Sequence, residues 1–244
     1  MTDRRVATGA EGLDKMLAGG FLPNSMVLVR GAPGTGKTSL ALQFLLRGAR
    51  QGEAGLFVSF EEFPSSLYRD AESLGWNLTD LEKDGRLRLM FTSPEIFLTS
   101  LESPESDLNR LIREADISRL VLDSVSLFDR LTEESQELRR IHTQMVNGLR
   151  RERLTALLVG EDARSDYQRA FDGGLSFLVD TIILMRYVEI DSAMQRAILV
   201  LKMRGSDHAK EIRRYRIGKG GLTVLDVFEG REGLLSGIPH ETLR

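Results

Sequence analysis

The sequence predicts an α/β fold in which a mainly parallel sheet is flanked by helices and extended by C-terminal antiparallel strands. Three observations predict it. Up to about residue 160, short apolar runs alternate with segments of helical periodicity, the pattern of a parallel sheet with helices on its faces. A glycine-rich loop, Gly31 to Thr38, lies between the first such strand and the first such helix. After residue 175 the texture changes to strand-like runs separated by turn residues.

Each element has its own signal. Residues 26–30 (MVLVR) are an apolar run ending at Gly31, a buried strand. After Lys37, Leu40, Phe44 and Leu45 share one helical face, and Gly52 stops that helix. GLFVSF at 55–60 is a second strand. Pro64 opens a helix through Leu67, Ala71 and Leu74 that stops at Gly75. RLRLMF at 86–91 alternates as a third strand, and a helix from about Glu105 to Ala115 follows. RLVLDS at 119–124 is another buried strand. Thr132–Arg153 reads as one long helix, with Leu138, Ile141, Met145 and Leu149 at three- and four-residue steps. LTALLVG at 154–160 is again an apolar strand. EDARSDYQRAFDGG at 161–174 is polar and glycine-ended, the composition of a surface loop. TIILMRYVEI, RAILVLKMR, IRRYRI and LTVLDV are then expected as antiparallel hairpins, turning at Asp191-Ser192, Gly205-Ser206 and Gly220-Gly221. No Pro/Gly/Ser-rich linker interrupts the chain, so residues 1–244 read as a single domain with tails at 1–8 and 238–244.

Composition narrows the function classes. The 33 Lys and Arg residues nearly balance 36 Asp and Glu, so bulk charge does not indicate a nucleic-acid binder. Cysteine is absent, which excludes disulfides and thiolate chemistry. The longest uncharged stretch, Met16–Val29, contains Gly19, Gly20, Pro23 and Asn24 and is too short to span a bilayer. The start, MTDRRVATGAEG, lacks the apolar core of a secretory signal. The expectation is a soluble cytoplasmic protein with no membrane partner.

Gly31-Ala32-Pro33-Gly34-Thr35-Gly36-Lys37-Thr38 fits G-x-x-x-x-G-K-[ST] in full, between a strand and a helix. The glycines permit backbone conformations that gather N–H groups into a concave anion site. The helix that begins near Gly36 adds its positive end, and Ser39 lies in its first turn. Lys37 is placed to reach the β- and γ-phosphates of a nucleotide, and the Thr38 hydroxyl to ligate Mg²⁺. ATP and Mg²⁺ are therefore the expected ligands. Asp123 ends an apolar strand, where a carboxylate supports the metal across the sheet's carboxyl edge. Glu61 and Glu62 follow GLFVSF at that same edge. They suit a base that orients the attacking water, Glu61 close to the metal, or equally a solvated acidic pair that favours the next helix's dipole.

TGAEGLDKMLAGGFLPNSMVLVRGAPGTGKT, then FVSFEE, AESLGWNL, RLVLDS and LKMRGSDHAKEIRRYRI, together resemble the KaiC family of ATPases within the RecA-like group. The resemblance covers about residues 6–237; the strand followed by Glu-Glu and the K-x-R-G-S-x-H run carry its specificity. It implies a RecA-like P-loop core, a six-membered homo-oligomeric ring and ATP held between neighbouring subunits. It implies Glu61 as base with Glu62 in support, and Ser73 near that base. It implies that Lys202 and Arg204 reach the γ-phosphate of the adjacent subunit's ATP, with Ser206 and His208 lining that nucleotide. From the residues alone, Lys202 and Arg204 share a strand face and read as a solvated basic edge.

The family's clock member phosphorylates a Ser–Thr pair before a D-T-I-I-L strand. Here the matching residues are Ser176 and Phe177, before Asp180-Thr181-Ile182-Ile183-Leu184. Phe177 has no hydroxyl, so a two-site cycle is excluded there. Ser176 stands either as a single acceptor for autophosphorylation or as an ordinary strand-start residue. The leading expectation is an ATP-hydrolysing signalling or timing switch. Alternatives are a RecA- or RadA-like DNA-dependent ATPase and a non-catalytic module that ATP assembles. The first alternative is disfavoured by the acids Glu161, Asp162, Asp166 and Asp172 that offset Arg164 and Arg169. His142 reads as a boundary or surface residue of the long helix.

Overall fold

Val27 and Val29 of the first strand are buried on one face of the sheet, and Met26 and Leu28 on the other. Leu120 and Leu122 against Val121, and Leu158 against Leu157 and Val159, repeat the pattern. A strand apolar on both faces is stable only where helices cover both. The computed structural model, which describes residues 4–161, 174–229, 231–234 and 240–241, has that layered arrangement.

The elements run α1 (Leu13–Met16), β1 (Met26–Gly31), α2 (Lys37–Arg50), β2 (Ala54–Ser59), α3 (Pro64–Ser73), α4 (Leu78–Lys83), β3 (Leu87–Phe91), α5 (Pro94–Glu102), α6 (Asp107–Glu114) and β4 (Ile117–Asp123). A 3-10 helix (Val125–Arg130) leads to α7 (Ser135–Arg151), β5 (Thr155–Glu161), α8 (Gly174–Leu178), β6 (Thr181–Ile190), β7 (Ala193–Met203), β8 (Arg213–Gly218) and β9 (Gly221–Val227). A two-residue pair, β10 (Arg231–Glu232) and β11 (His240–Glu241), closes the described chain. One nine-stranded sheet has the order β3-β2-β4-β5-β1-β6-β7-β8-β9. Its first six strands are parallel and its last three antiparallel. Among the described residues, no helix is long and apolar enough to cross a membrane.

The expected elements are present with shifted ends, and several expectations are corrected. TIILMRYVEI does not begin an antiparallel extension: β6 pairs parallel with β1, and only its other edge pairs antiparallel with β7. The sequence reading missed α1, α4, α5 and α8. Asn77, Ser93 and Ser106 cap α4, α5 and α6 by accepting the N–H of Asp80, Ile96 and Asn109, local signals that short helices share with turns. The long helix ends at Arg151, because Arg153 adopts φ 55°. His142 is no surface residue. It is buried in α7, with Nε2 3.2 Å from an Asp129 carboxylate oxygen. The polar stretch 162–173 lies outside the described residues. Of the segment read as an N-terminal tail, Val6 is buried and exchanges two 2.9 Å backbone hydrogen bonds with Phe21.

Arg119 of β4 is buried to 1% exposure and ties three parts of the fold together. Its guanidinium donates to the carbonyls of Ala7 (2.7 Å) and Phe44 (2.9 Å), to Gln51 Oε1 (3.1 Å) and to the Glu53 carboxylate. It also stacks over the Phe44 ring, 4.7 Å from the centroid. Truncation leaves buried acceptors and a carboxylate without their donor. Arg119→Ala is expected to lower unfolding free energy in urea by about 3–5 kcal/mol. A loss under about 1 kcal/mol would mean water satisfies those groups instead.

Candidate functional site

Parallel strands all present their carboxyl ends at one edge of a sheet, and the register here aligns those ends. Ser59 of β2 pairs with Asp123 of β4, Asp123 with Val159 of β5, and Glu161 of β5 with Gly31 of β1. The loops leaving that edge enclose a cleft of about 190 Å³. Lys37, Thr38, Glu61, Glu62, Asp123 and Glu161 all contribute to its lining.

The glycine-rich loop is built as its sequence requires. Gly34 and Gly36 have φ of 79° and 92°, in the region where a side chain is strained. Each loop carbonyl from Gly31 to Thr35, apart from Pro33, has a donor. Lys37 Nζ donates to Gly31 (2.8 Å) and Ala32 (3.1 Å), and Thr35 Oγ1 donates to Ala32 (2.8 Å). The phenols of Tyr187 and Tyr215 donate to Gly34 and Thr35, each at 2.6 Å. A trans peptide points its C=O and the following N–H in opposite directions, so holding the Thr35 carbonyl turns the Gly36 N–H the other way. Gly36 is the N-cap of α2, whose first-turn N–H groups have no partner within the helix. Thr35 and Lys37 are buried, and Ser39 is half-buried in that turn. A loop with these properties attracts an anion.

On the opposite wall the Thr38 hydroxyl donates to Asp123 Oδ2 at 2.8 Å. Burial pushes the Asp123 carboxyl up to about 6; Thr38 and Lys37 oppose that rise, and Glu62 and Glu61 add to it. A hydroxyl and a carboxylate side by side, with a lysine behind them, are the hard oxygen donors that Mg²⁺ prefers. Glu61 and Glu62 are exposed at the cleft rim. The turn bearing them is held by Ser59, whose hydroxyl donates to the Glu62 carbonyl (2.6 Å) and accepts the Glu62 N–H (3.1 Å).

The other predicted residues lie elsewhere in the subunit. Lys202 pairs with Ile182, and Ile182 with Leu28, so Lys202 lies toward the start of β1, away from the end that feeds the phosphate loop. Its ammonium donates to the carbonyls of Ser176 (2.9 Å) and Val179 (2.8 Å). Burial, then the Arg204 charge, lower its pKa. Arg204 follows the end of β7 rather than sharing its face, and donates to the Phe177 carbonyl at 2.7 Å. Ser206 accepts from Arg5 at 2.9 Å, and the His208 ring contacts the Ala209 carbonyl. Ser73 is exposed at the end of α3, donates to the Asp70 carbonyl and does not line the cleft. Ser176 is not a strand-start residue but a buried residue of α8, with 3% exposure.

Ser59, Glu161, Tyr187 and Tyr215 at the site escaped the sequence reading. Glu161 carries the signal that identified Asp123, an acid closing an apolar strand. Tyr187 and Tyr215 carry none, since a tyrosine in a strand reads as packing.

The sequence profile of the family described as "ATPase: KaiC" matches residues 6–228. A circadian clock oscillator protein KaiC from Parathermosynechococcus lividus is 38% identical over 237 residues, 96% of this chain and 43% of that protein. Its counterpart from Picosynechococcus sp. is 36% identical over 239 residues, 98% of this chain and 46% of that protein. The chain thus spans less than half the length of these two relatives. A crystal structure of a KaiC-like protein from Pyrococcus horikoshii superposes with a TM-score of 0.79 at 30% identity, covering 91% of this chain and 99% of that one.

The raised carboxyl of Asp123 has a stability consequence. Between about pH 4 and 6 the folded chain keeps a proton that the unfolded chain has lost, so stability falls as pH rises through that window. Asp123→Asn is expected to flatten that fall and to stabilise the nucleotide-free chain at pH 8 by on the order of 2 kcal/mol. Thermal melts from pH 4 to pH 8 measure it, and an unchanged profile would count against a desolvated Asp123.

Proposed function

The chain belongs to the KaiC family of ATPases, and from that premise we propose that it binds and hydrolyses ATP with Mg²⁺ as a single RecA-like domain spanning residues 1–244. The observation that carries this reading is the 2.8 Å contact between Thr38 and Asp123 at the mouth of the glycine-rich loop, with Lys37 behind it. Thr38 and Asp123 hold the metal, and Glu61 lies within its surroundings. When bound, Mg²⁺ supplies charge neutralisation on the β- and γ-phosphates. Lys37, with Gly34, Thr35, Gly36 and Ser39 around it, binds the phosphates. Glu61 orients and deprotonates the attacking water, and Glu62, fixed by Ser59, supports it.

We further propose a homo-oligomeric ring in which Lys202 and Arg204 act on the neighbour's nucleotide, beside Ser206 and His208. Two arguments support an in-trans role. Within one subunit these residues lie toward the opposite end of the strands from their own phosphate loop. Two cations close together also lower the cost of charge developing in phosphoryl transfer. The physiological output on this reading is a slow nucleotide-dependent switch. Single-site phosphorylation of Ser176 belongs to the reading only if α8 opens, because that side chain is buried. Ser73 has no part in the cleft within one subunit.

The test combines light-scattering mass and phosphate release on one sample with Mg-ATP. A species about six times the monomer mass that carries the activity is expected. Glu61→Gln should lower turnover by about 10²–10⁴-fold, and Arg204→Ala by about 10³-fold or more with nucleotide still bound. Mixed together, the two variants should regain activity that neither has alone. An active monomer, or no recovery on mixing, would overturn the in-trans assignment. Absence of nucleotide binding by the wild-type chain would overturn the ATPase reading itself.

A further inference from the structure

We infer that Tyr187 and Tyr215 are positioning residues for phosphate binding, holding the glycine-rich loop in its anion-accepting form from the strands that lie past β1 in the sheet. The inference rests on the phosphate-binding reading above and names residues that reading did not contain.

The last strands of the sheet press against the loop along its length. A β-carbon at Gly31 would meet the Met185 carbonyl of β6 at 2.3 Å, and one at Gly36 would meet Ile217 Cδ1 of β8 at 2.1 Å. Between those two contacts fall the two phenols. Tyr187 of β6 donates to Gly34 and Tyr215 of β8 to Thr35, both at 2.6 Å. Neither of these two carbonyls is satisfied by a side chain within the loop. Inside the loop, Lys37 and Thr35 serve only Gly31 and Ala32.

The hydroxyl is the part that matters. If either carbonyl turned about its peptide to face the cleft, an acceptor would stand where an anion needs a donor. A phenol at short range opposes that turn by offering the carbonyl a hydrogen bond only in the outward position. Tyr215 is 4% exposed, and its burial raises the phenol's pKa, so it remains a donor across the working pH range. Tyr187 is packed under Arg196 of β7, whose guanidinium lies 5.5 Å from the ring centroid, which holds the ring in place. A structural phenol would stabilise the fold. A positioning phenol sets affinity for phosphate-bearing ligands while leaving the chemical step to Glu61 and the metal.

Phenylalanine removes the hydroxyl and keeps the ring. In Tyr187→Phe and Tyr215→Phe, the Kd for ADP and the KM for ATP are each expected to rise about fivefold to tenfold, the effect of one lost hydrogen bond. The double variant should lose roughly the product of the two. kcat at saturating ATP should stay within about twofold, since neither group faces the reacting atoms. Wild-type Kd in both variants, with only a lowered Tm, would overturn the inference. So would a loss confined to kcat. Tyr187→Phe keeps the test open if the buried Tyr215→Phe does not fold, because Tyr187 reaches solvent. A wild-type chain that binds no ADP would instead refute the phosphate-binding reading, so the two failures are distinguishable.

Discussion

A loop that gathers N–H groups toward one point must send its carbonyls the other way, and each of those carbonyls needs a donor. That constraint shapes the region around Gly31 to Lys37. The loop answers part of it from within, through Lys37 and Thr35 on the Gly31 and Ala32 carbonyls. The Gly34 and Thr35 carbonyls are answered by two tyrosines about 150 and 180 residues further along the chain, on strands that extend the sheet past β1. The strands past β1, parallel β6 and antiparallel β8 among them, therefore do more than widen the sheet. They supply the wall against which the loop is formed: the Met185 carbonyl leaves no room for a side chain at Gly31, and Ile217 packs close against Gly36.

The parallel part of the sheet solves a different problem. Residues from four separate segments must meet at one edge, and parallel strands deliver their carboxyl ends to the same side whatever their order in the chain. The register does the rest. Ser59, Asp123 and Glu161 arrive within a rung or two of one another, and Gly31 beside them. The buried Asp123 is the electrostatic cost of that convergence: neighbouring Glu61 and Glu62 add to its reluctance to ionise, and Thr38 and Lys37 offset it.

The opposite end of the strands holds Lys202 and Arg204 against the carbonyls of α8 and the residue that follows it. The glycine-rich loop and these cations thus occupy different ends of one subunit, and α8 is the platform that Lys202 and Arg204 grip through its carbonyls. In the proposed ring, copies of the chain complete one another across that division.

The sequence by itself determined the class of fold, the strand-loop-helix unit and the residues that line its cleft, Lys37, Thr38, Glu61, Glu62 and Asp123. Those features are local. Glycines at fixed offsets, an apolar run with two buried faces and an acid at its end each follow from neighbours in the chain. Short-range reasoning failed where a residue's role depends on a distant partner. His142 sits beside an apolar helix face and reads as a boundary residue, yet Asp129 and the packing of α7 bury it. TIILMRYVEI has the texture of a hairpin strand, yet β1 offers it a parallel edge. Only the tertiary structure decided that Tyr187 and Tyr215 reach the phosphate loop, and that Lys202 and Arg204 do not reach it within the same subunit. The physical reason is the same in each case: pairing order and strand register bring residues together across the sheet, and neither is written in the periodicity of a single strand.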